Sequence, residues 1–357
     1  MKTINKGAFF ALALSTLFVA CEKDGTSTNN STESNVYVVN EGGFLKNNGS
    51  ISSLNNGTAS NNLFLAANGV TPGDVIQHIA FIGEKAYIVA NNSKKIEVVS
   101  KIDFKSLATI EDASLLDYPR YAQAANGKMY ISNGSGAGKV VVLDTATNNV
   151  LTSVEIGNGP GKMTVVGDNL FVINGGGYST PGDTVNIPVG SVSVINTTSN
   201  LEVKRTELFP NATDIVVDAN NRIFALCGGA TVYNSDYSAV LKRTEPYLVE
   251  LSSNGDIVSS TSIGLPIDKP SQLEVSADGS LYLYQGGEVF SYNNGVKGQS
   301  IVTGQSAYGM NIGPDNTLYL SLAGDYASNG YVATYSLSGA FQDSILVGVV
   351  PNGVYFD

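Results

Sequence analysis

Val36-Tyr37-Val38-Val39-Asn40 is the first of seven five-residue runs with one design. The others are Ala86-Tyr87-Ile88-Val89-Ala90, Met129-Tyr130-Ile131-Ser132-Asn133, Leu170-Phe171-Val172-Ile173-Asn174, Ile223-Phe224-Ala225-Leu226-Cys227, Leu281-Tyr282-Leu283-Tyr284-Gln285 and Leu318-Tyr319-Leu320-Ser321-Leu322. Each has an aromatic second and mostly apolar or β-branched neighbours, a composition suited to a packed strand. From aromatic to aromatic the spacings are 50, 43, 41, 53, 58 and 37 residues. Such a period fits a four-stranded propeller blade with loop insertions, and leucine-rich or hexapeptide solenoids repeat too quickly to produce it.

Working outward, six of the runs follow a two-residue turn: Gly83-Glu84, Asn126-Gly127, Gly167-Asp168, Asn220-Asn221, Asp278-Gly279 and Asp315-Asn316. Gly and Asn take positive φ cheaply, so these dipeptides close hairpins. An upstream strand precedes each turn, as in Leu273-Glu274-Val275 or Met310-Asn311-Ile312, and a third strand such as Val140-Val141-Val142 or Val192-Ser193-Val194 follows. Fourth strands such as Thr152-Ser153-Val154-Glu155-Ile156 complete most units. The first run has no upstream partner, while Gly353-Val354-Tyr355-Phe356 at the end of the chain has no hairpin partner after it. Pairing the two closes a ring and removes exposed sheet edges. The prediction is an all-β, seven-bladed propeller over residues 36–357, closed by the C-terminal strand.

Composition narrows the function classes. The 357 residues carry 20 Lys+Arg against 31 Asp+Glu, a net charge of −11, with 39 Gly, 18 Tyr, one His, two Cys and no Trp. That charge disfavours nucleic acid as a partner. One His and two distant Cys leave too few parts for the usual His-centred or Cys/His catalytic and zinc constellations. No Asp-x-Asp-x-Asp-Gly calcium loop occurs, so neither metal nor cofactor is expected. Cys227, at a strand end, reads as a small buried apolar residue.

The N-terminus reads as an address. Lys2 and Lys6 precede an apolar run from Ala8 to Ala20, the length of a secretory signal and too short to span a bilayer. The ending Leu17-Phe18-Val19-Ala20-Cys21 resembles the lipobox of bacterial lipoproteins, with Phe18 where Leu is commoner. The resemblance implies a signal peptide over 1–20, lipidation of Cys21 and membrane attachment through that anchor alone. Loss of Lys2 and Lys6 with the leader takes the net charge to −13. Residues 21–35, rich in Ser, Thr, Asn and Gly, form a flexible tether. Its Glu22-Lys23-Asp24 resembles the export tag of Bacteroidetes outer-membrane lipoproteins and implies display toward the cell exterior.

Several innermost strands are entered through proline, at Tyr118-Pro119-Arg120, Gly159-Pro160-Gly161-Lys162-Met163, Lys269-Pro270-Ser271-Gln272-Leu273 and Val350-Pro351-Asn352-Gly353. With the Tyr-rich hairpins these resemble YncE-like and surface-layer-like propellers over almost the whole mature chain. Val36-Tyr37-Val38-Val39-Asn40-Glu41-Gly42 and Gly348-Val349-Val350-Pro351-Asn352-Gly353 together resemble a Bacteroidetes family of propeller lipoproteins. That family includes surface proteins capturing cobalamin for a TonB-dependent outer-membrane transporter. The resemblance implies a binding module with a corrinoid among its candidate small-molecule ligands and a transporter as candidate partner; the lack of paired carboxylates at a shared loop position and of an activated nucleophile points to a non-catalytic protein, and a closed ring without sheet edges to a monomer. A cell-surface adhesion or protein-interaction scaffold is the alternative.

In a propeller, the loops from second to third strand share a face with the blade-to-blade connections, around the central channel. Those loops are longest in blades four (Gly175 to Gly190) and five (Gly228 to Pro246). Tyr178, Tyr233 and Tyr237 in them, with Phe44 and Tyr326 in blades one and seven, are candidate ligand-binding aromatics. Asn40, Asn133, Asn174 and Gln285 at the ends of second strands, and His78, Tyr121, Lys162, Asp214 and Gln272 at the starts of inner strands, are expected at the channel mouth. His78, a lone histidine, reads as a hydrogen-bonded surface residue without a catalytic role.

Overall fold

Seven four-stranded antiparallel sheets follow one another around a ring. The computed structural model describes residues 35–134, 137–264, 270–293 and 295–357. Cys21, the leader and most of the tether therefore lie outside the described residues. Innermost strands run Pro351–Phe356, Ile76–Ile82, Pro119–Ala125, Pro160–Val166, Ala212–Val217, Pro270–Val275 and Gly309–Ile312, in blades one to seven. Each packs against the innermost strands on either side. Closure follows the expected route, because Pro351–Phe356 pairs antiparallel with Val36–Asn40, placing Tyr37 opposite Tyr355 and Val38 opposite Val354.

The repeated aromatics explain why the blades stack. Tyr37, Tyr87, Tyr130, Phe171, Phe224, Tyr282 and Tyr319 are all buried. A ring of this size contributes roughly 1.5–3 kcal/mol when removed from water. Two of them also reach the next blade: the Tyr87 hydroxyl donates to Asn148 Oδ1 (3.1 Å) and that of Tyr130 to Asn200 Oδ1 (2.8 Å). The hairpin turns take the left-handed backbone that their sequence suggested, for example at Asn126 (φ 47°), Gly127 (φ 69°) and Asn316 (φ 65°).

Two details were not anticipated. The long loop of blade five folds into an extra hairpin, Thr231–Tyr233 paired with Val240–Arg243. A short helix, Leu63–Asn68, links blades one and two and buries Phe64 in the core between them. Among the described residues no helix is long and apolar enough to cross a membrane.

One irregularity recurs and positions the site. The pairing between innermost and second strand slips just after the first residue of the inner strand in blades one to six: at Pro351/Gly353, Ile76/His78, Pro119/Ala122, Pro160/Met163, Ala212/Asp214 and Pro270/Gln272. A bulge leaves residues unpaired and re-aims their side chains. Here the released residues include Asn352, Gln77, Tyr121, Lys162, Thr213 and Ser271, all of which line the channel.

Candidate functional site

The channel mouth forms a cup of about 430 Å³ to which all seven blades contribute. Its wall includes Gln77 and His78 of blade two, Tyr121 of blade three, Lys162 of blade four, Asp214 of blade five, Gln272 of blade six, Tyr308 and Asn311 near blade seven, and Asn352 and Tyr355 of blade one. Glu41, the first residue of blade one's second-to-third loop, completes the rim. Tyr326 packs edge-on against Tyr308 with centroids 5.6 Å apart, so the cup opens on the face that carries those loops.

Tyr355 forms part of the floor. Its ring folds back over Gly353, where an added Cβ would lie 2.9 Å from the Tyr355 hydroxyl oxygen. His78 is wedged between the rings of Tyr121 (5.3 Å) and Tyr355 (4.6 Å). Its Nδ1 accepts from the Ala122 N–H at 3.4 Å. Burial, with the Lys162 charge nearby, pulls the imidazole down to about 3, so it stays neutral at physiological pH. His78 thus lines the channel mouth, as its place at the start of an inner strand implied, and is not on the outer surface.

Charge is concentrated on one side. Lys162 Nζ lies 2.7 Å from Asp214 Oδ2, and Asp214 is only 1% exposed. That carboxylate also accepts from the N–H groups of Leu273 (3.1 Å) and Ile215 (2.9 Å). Burial works against a charged Lys162, but Asp214, Glu274 and Tyr121 outweigh it and hold the ammonium above its usual range. Glu274 shares this corner; burial, reinforced by Asp214 and opposed by Lys162, pushes its carboxyl up to about 8. Asn311 Nδ2 donates to it at 3.2 Å.

Across the cup, the Glu41 carboxylate accepts from Gln77 Nε2 (2.9 Å), Tyr308 Oη (3.0 Å) and Asn352 Nδ2 (3.2 Å). Burial raises its pKa, and these donors together with the Arg120 charge only partly restrain the rise. Asn352 Oδ1, in this wall, is buried without a hydrogen-bond partner; Arg120 Nε is likewise unpartnered, but Arg120 is not among the cup-lining residues. Among the described residues no group of three or more His, Cys, Asp or Glu side chains could hold a metal ion.

The sequence candidates divide by strand. His78, Tyr121, Lys162, Asp214 and Gln272 all line the cup. Asn40, Asn133 and Asn174 do not: each is fully buried. Asn40 Nδ2 donates to Ser50 Oγ (3.2 Å) and Ser52 Oγ (3.0 Å), and its Oδ1 accepts from Gly348 N (3.0 Å). Asn174 holds Ser191 and Ser193 in the same manner, and Asn133 bonds Asp117 and the backbone of Leu115 and Tyr118. These are second-strand residues, and the innermost strand stands between them and the axis. Gln285, opposite Pro270 in the second strand of blade six, is likewise outside the cup lining.

Among the loop aromatics, Tyr326 reaches the rim through Tyr308, whereas Phe44, Tyr178, Tyr233 and Tyr237 are exposed beyond the cup. Tyr178 is 91% exposed. The two long loops are tied together by Gly182 N to Tyr233 O (2.7 Å) and Lys242 Nζ to Thr184 O (2.9 Å). They form one crest carrying Tyr178, Val185, Tyr237, Val240 and Leu241, all exposed. Sequence reading passed over Glu41, Glu274, Tyr308 and Tyr355 as site residues. The proline that opens four of the inner strands points to Tyr121, Lys162, Ser271 and Asn352, but no comparable signal marks Glu41, Glu274, Tyr308 or Tyr355.

No protein-family model matches the chain, and no curated protein matches it. Solved structures do. A functionally unknown protein from Desulfotomaculum acetoxidans is 12% identical with a TM-score of 0.63, over 90% of this chain and 98% of its own. A putative 6-phosphogluconolactonase from Bacteroides fragilis is 14% identical with a TM-score of 0.61, over 92% and 99%. A quinoprotein alcohol dehydrogenase-like protein from Bacteroides thetaiotaomicron is 11% identical with a TM-score of 0.61, over 91% and 78%. At these identities the likeness establishes the propeller fold.

Proposed function

We propose that the protein is a non-catalytic capture module, displayed on the outer surface through a lipid on Cys21, that holds a small polar nutrient in the channel cup for a TonB-dependent transporter. The observation that carries this reading is the cup itself. All seven inner strands feed it, its volume falls within the range of small-molecule sites, and its wall keeps one buried acceptor without a partner, Asn352 Oδ1. The surface placement rests on the charged leader, apolar run and Cys21 in the sequence.

A corrinoid is one candidate: its amide arms could hydrogen-bond the polar groups of Gln77, Tyr121 and Asn352 in the cup wall. The exposed crest of blades four and five favours a protein contact as well, either the transporter or, in the scaffold alternative, another surface protein.

The test is calorimetric titration of residues 35–357, within which the ring closes, against cobalamin, a second corrinoid and a panel of small polar nutrients. One-to-one binding lost on Tyr121→Ala supports capture in the cup. Silence toward every ligand, with a stable protein partner recovered without any, would replace it by the scaffold.

A further inference from the structure

Hydrogen-bond accounting separates the groups of the cup wall that hold the ring together from those left over. The charges of the lining are already answered. Lys162 is paired with Asp214, which also accepts from two backbone N–H groups. The Glu41 carboxylate accepts from Gln77, Tyr308 and Asn352. Gln272 is taken up by Tyr308 O (3.1 Å) and the Met310 N–H, and Asn311 by Glu274 and the Val354 N–H (2.7 Å).

What is left over is neutral and belongs to blades one to three. His78 is uncharged and its Nδ1 accepts from the Ala122 N–H, so its proton sits on Nε2. Wedged between the rings of Tyr121 and Tyr355, it brings three donors to one stretch of wall, its own Nε2–H and the two phenol hydroxyls. Two amide acceptors share that stretch. Gln77 gives its Nε2 to Glu41 and keeps Oε1, and Asn352 Oδ1 is buried with nothing to accept. Among the described residues none of these five groups has a hydrogen-bond partner.

Polar groups left unanswered in a closed-in site are costly, so the wall selects a ligand that supplies their complements. An anion would find no free cation there, and a cation no carboxylate without donors. An apolar molecule would leave all five groups unanswered. A single carboxamide offers its donors and acceptor in one plane, too few for groups spread over three blades. A hydroxyl both donates and accepts, and a sugar ring carries several of them around its rim. We propose that the cup binds a neutral polyhydroxylated molecule, a monosaccharide or cyclitol, whose hydroxyls accept from His78, Tyr121 and Tyr355 and donate to Gln77 and Asn352. This inference rests on the reading of the propeller as a capture module and names its ligand class.

Residues 35–357 are titrated with glucose, galactose, mannose and myo-inositol, and separately with cobalamin and the common L-amino acids. The expected result is one-to-one binding of at least one neutral polyol, weakened about three- to tenfold by Tyr121→Phe and likewise by Tyr355→Phe. Both variants should melt with the parent protein, because neither hydroxyl has a protein partner to lose. The phosphate ester of a polyol that binds should bind at least about tenfold more weakly, since no free cation meets the added charge. An ester that binds as well as the neutral polyol, or polyol binding that Tyr121→Phe or Tyr355→Phe leaves unweakened, overturns the proposal. Cobalamin or amino-acid binding where no polyol binds overturns the polyol and leaves the capture function standing. Silence toward all three classes removes both.

Discussion

Glu274→Gln offers the sharpest test of the channel electrostatics. The Glu274 carboxyl titrates near 8 in the folded protein against an ordinary 4.5, chiefly because burial opposes its charge. A folded value above the unfolded one means that folding takes up a proton. The stabilising contribution is then complete below pH 4.5 and lost as pH rises through about 8. A rise of this size corresponds to a contribution on the order of a few kcal/mol, a large part of it lost between pH 5 and 8. Glutamine keeps an oxygen for the Asn311 amide and the Ile312 N–H, and it carries no proton to lose.

The assay is the urea midpoint of parent and variant from pH 5 to 9. The variant should gain on the parent by a few kcal/mol between pH 5 and 8. His78 and Glu41 titrate in both proteins and drop out of the difference. A parallel pair of pH profiles would show that Glu274 is solvated and ionised in the fold, and the account of the Lys162–Asp214–Glu274 corner would fall.

Other expectations follow from the same geometry. Deleting residues 354–357 removes Val354, 1% exposed and paired with Val38, and bares the edge of Val36–Asn40. Loss of that one apolar side chain costs about 1.5–3 kcal/mol before the unpaired edge is counted, so an unchanged melting temperature would disprove closure through this strand. Gly353→Ala places a Cβ against the Tyr355 ring and should displace the cup floor, weakening ligand binding more than it lowers the melting temperature. His78 should show no imidazolium signal by NMR down to pH 4. Its lowered pKa makes the neutral ring stabilising above 6.5 and costs stability as pH falls toward 3.

The fold was legible because its signal is local. An aromatic second in each strand and a left-handed turn before six of them repeat at blade spacing, and the unpaired ends at Val36 and Phe356 point to each other. The innermost-strand part of the site was legible for the same reason, since the position just after the entry proline is fixed by the bulge. Asn40, Asn133 and Asn174 looked equivalent in sequence, but which side of a blade a strand end faces depends on its place in the sheet. Glu41 was invisible because its three donors lie 36, 267 and 311 residues away. No spacing rule encodes contacts assembled only when the ring closes.

The bulge serves two ends, and the junction between blades three and four shows how they are divided. Elsewhere a channel side chain ties its blade to the next. His78 Nδ1 accepts from Ala122 N, Lys162 meets Asp214, Asp214 accepts from Leu273 N, Gln272 from Met310 N and Asn311 from Val354 N, while Asn352 donates to the carbonyls of Ile76 and Gln77. Among the described residues no channel side chain of blade three makes such a tie to blade four, and Tyr121 is the residue left free there. Structural and ligand-binding duties should therefore separate by mutation. Asn311→Ala strands the Val354 N–H and should cost about 1–3 kcal/mol, and Tyr121→Phe, which removes a hydroxyl without a protein partner, should stay within about 0.5 kcal/mol of the parent. In ligand affinity the order should reverse, with Tyr121→Phe the more damaging. Equal destabilisation by the two would mean that Tyr121 is one more brace, and that ligand recognition lies outside the channel, on the crest of blades four and five.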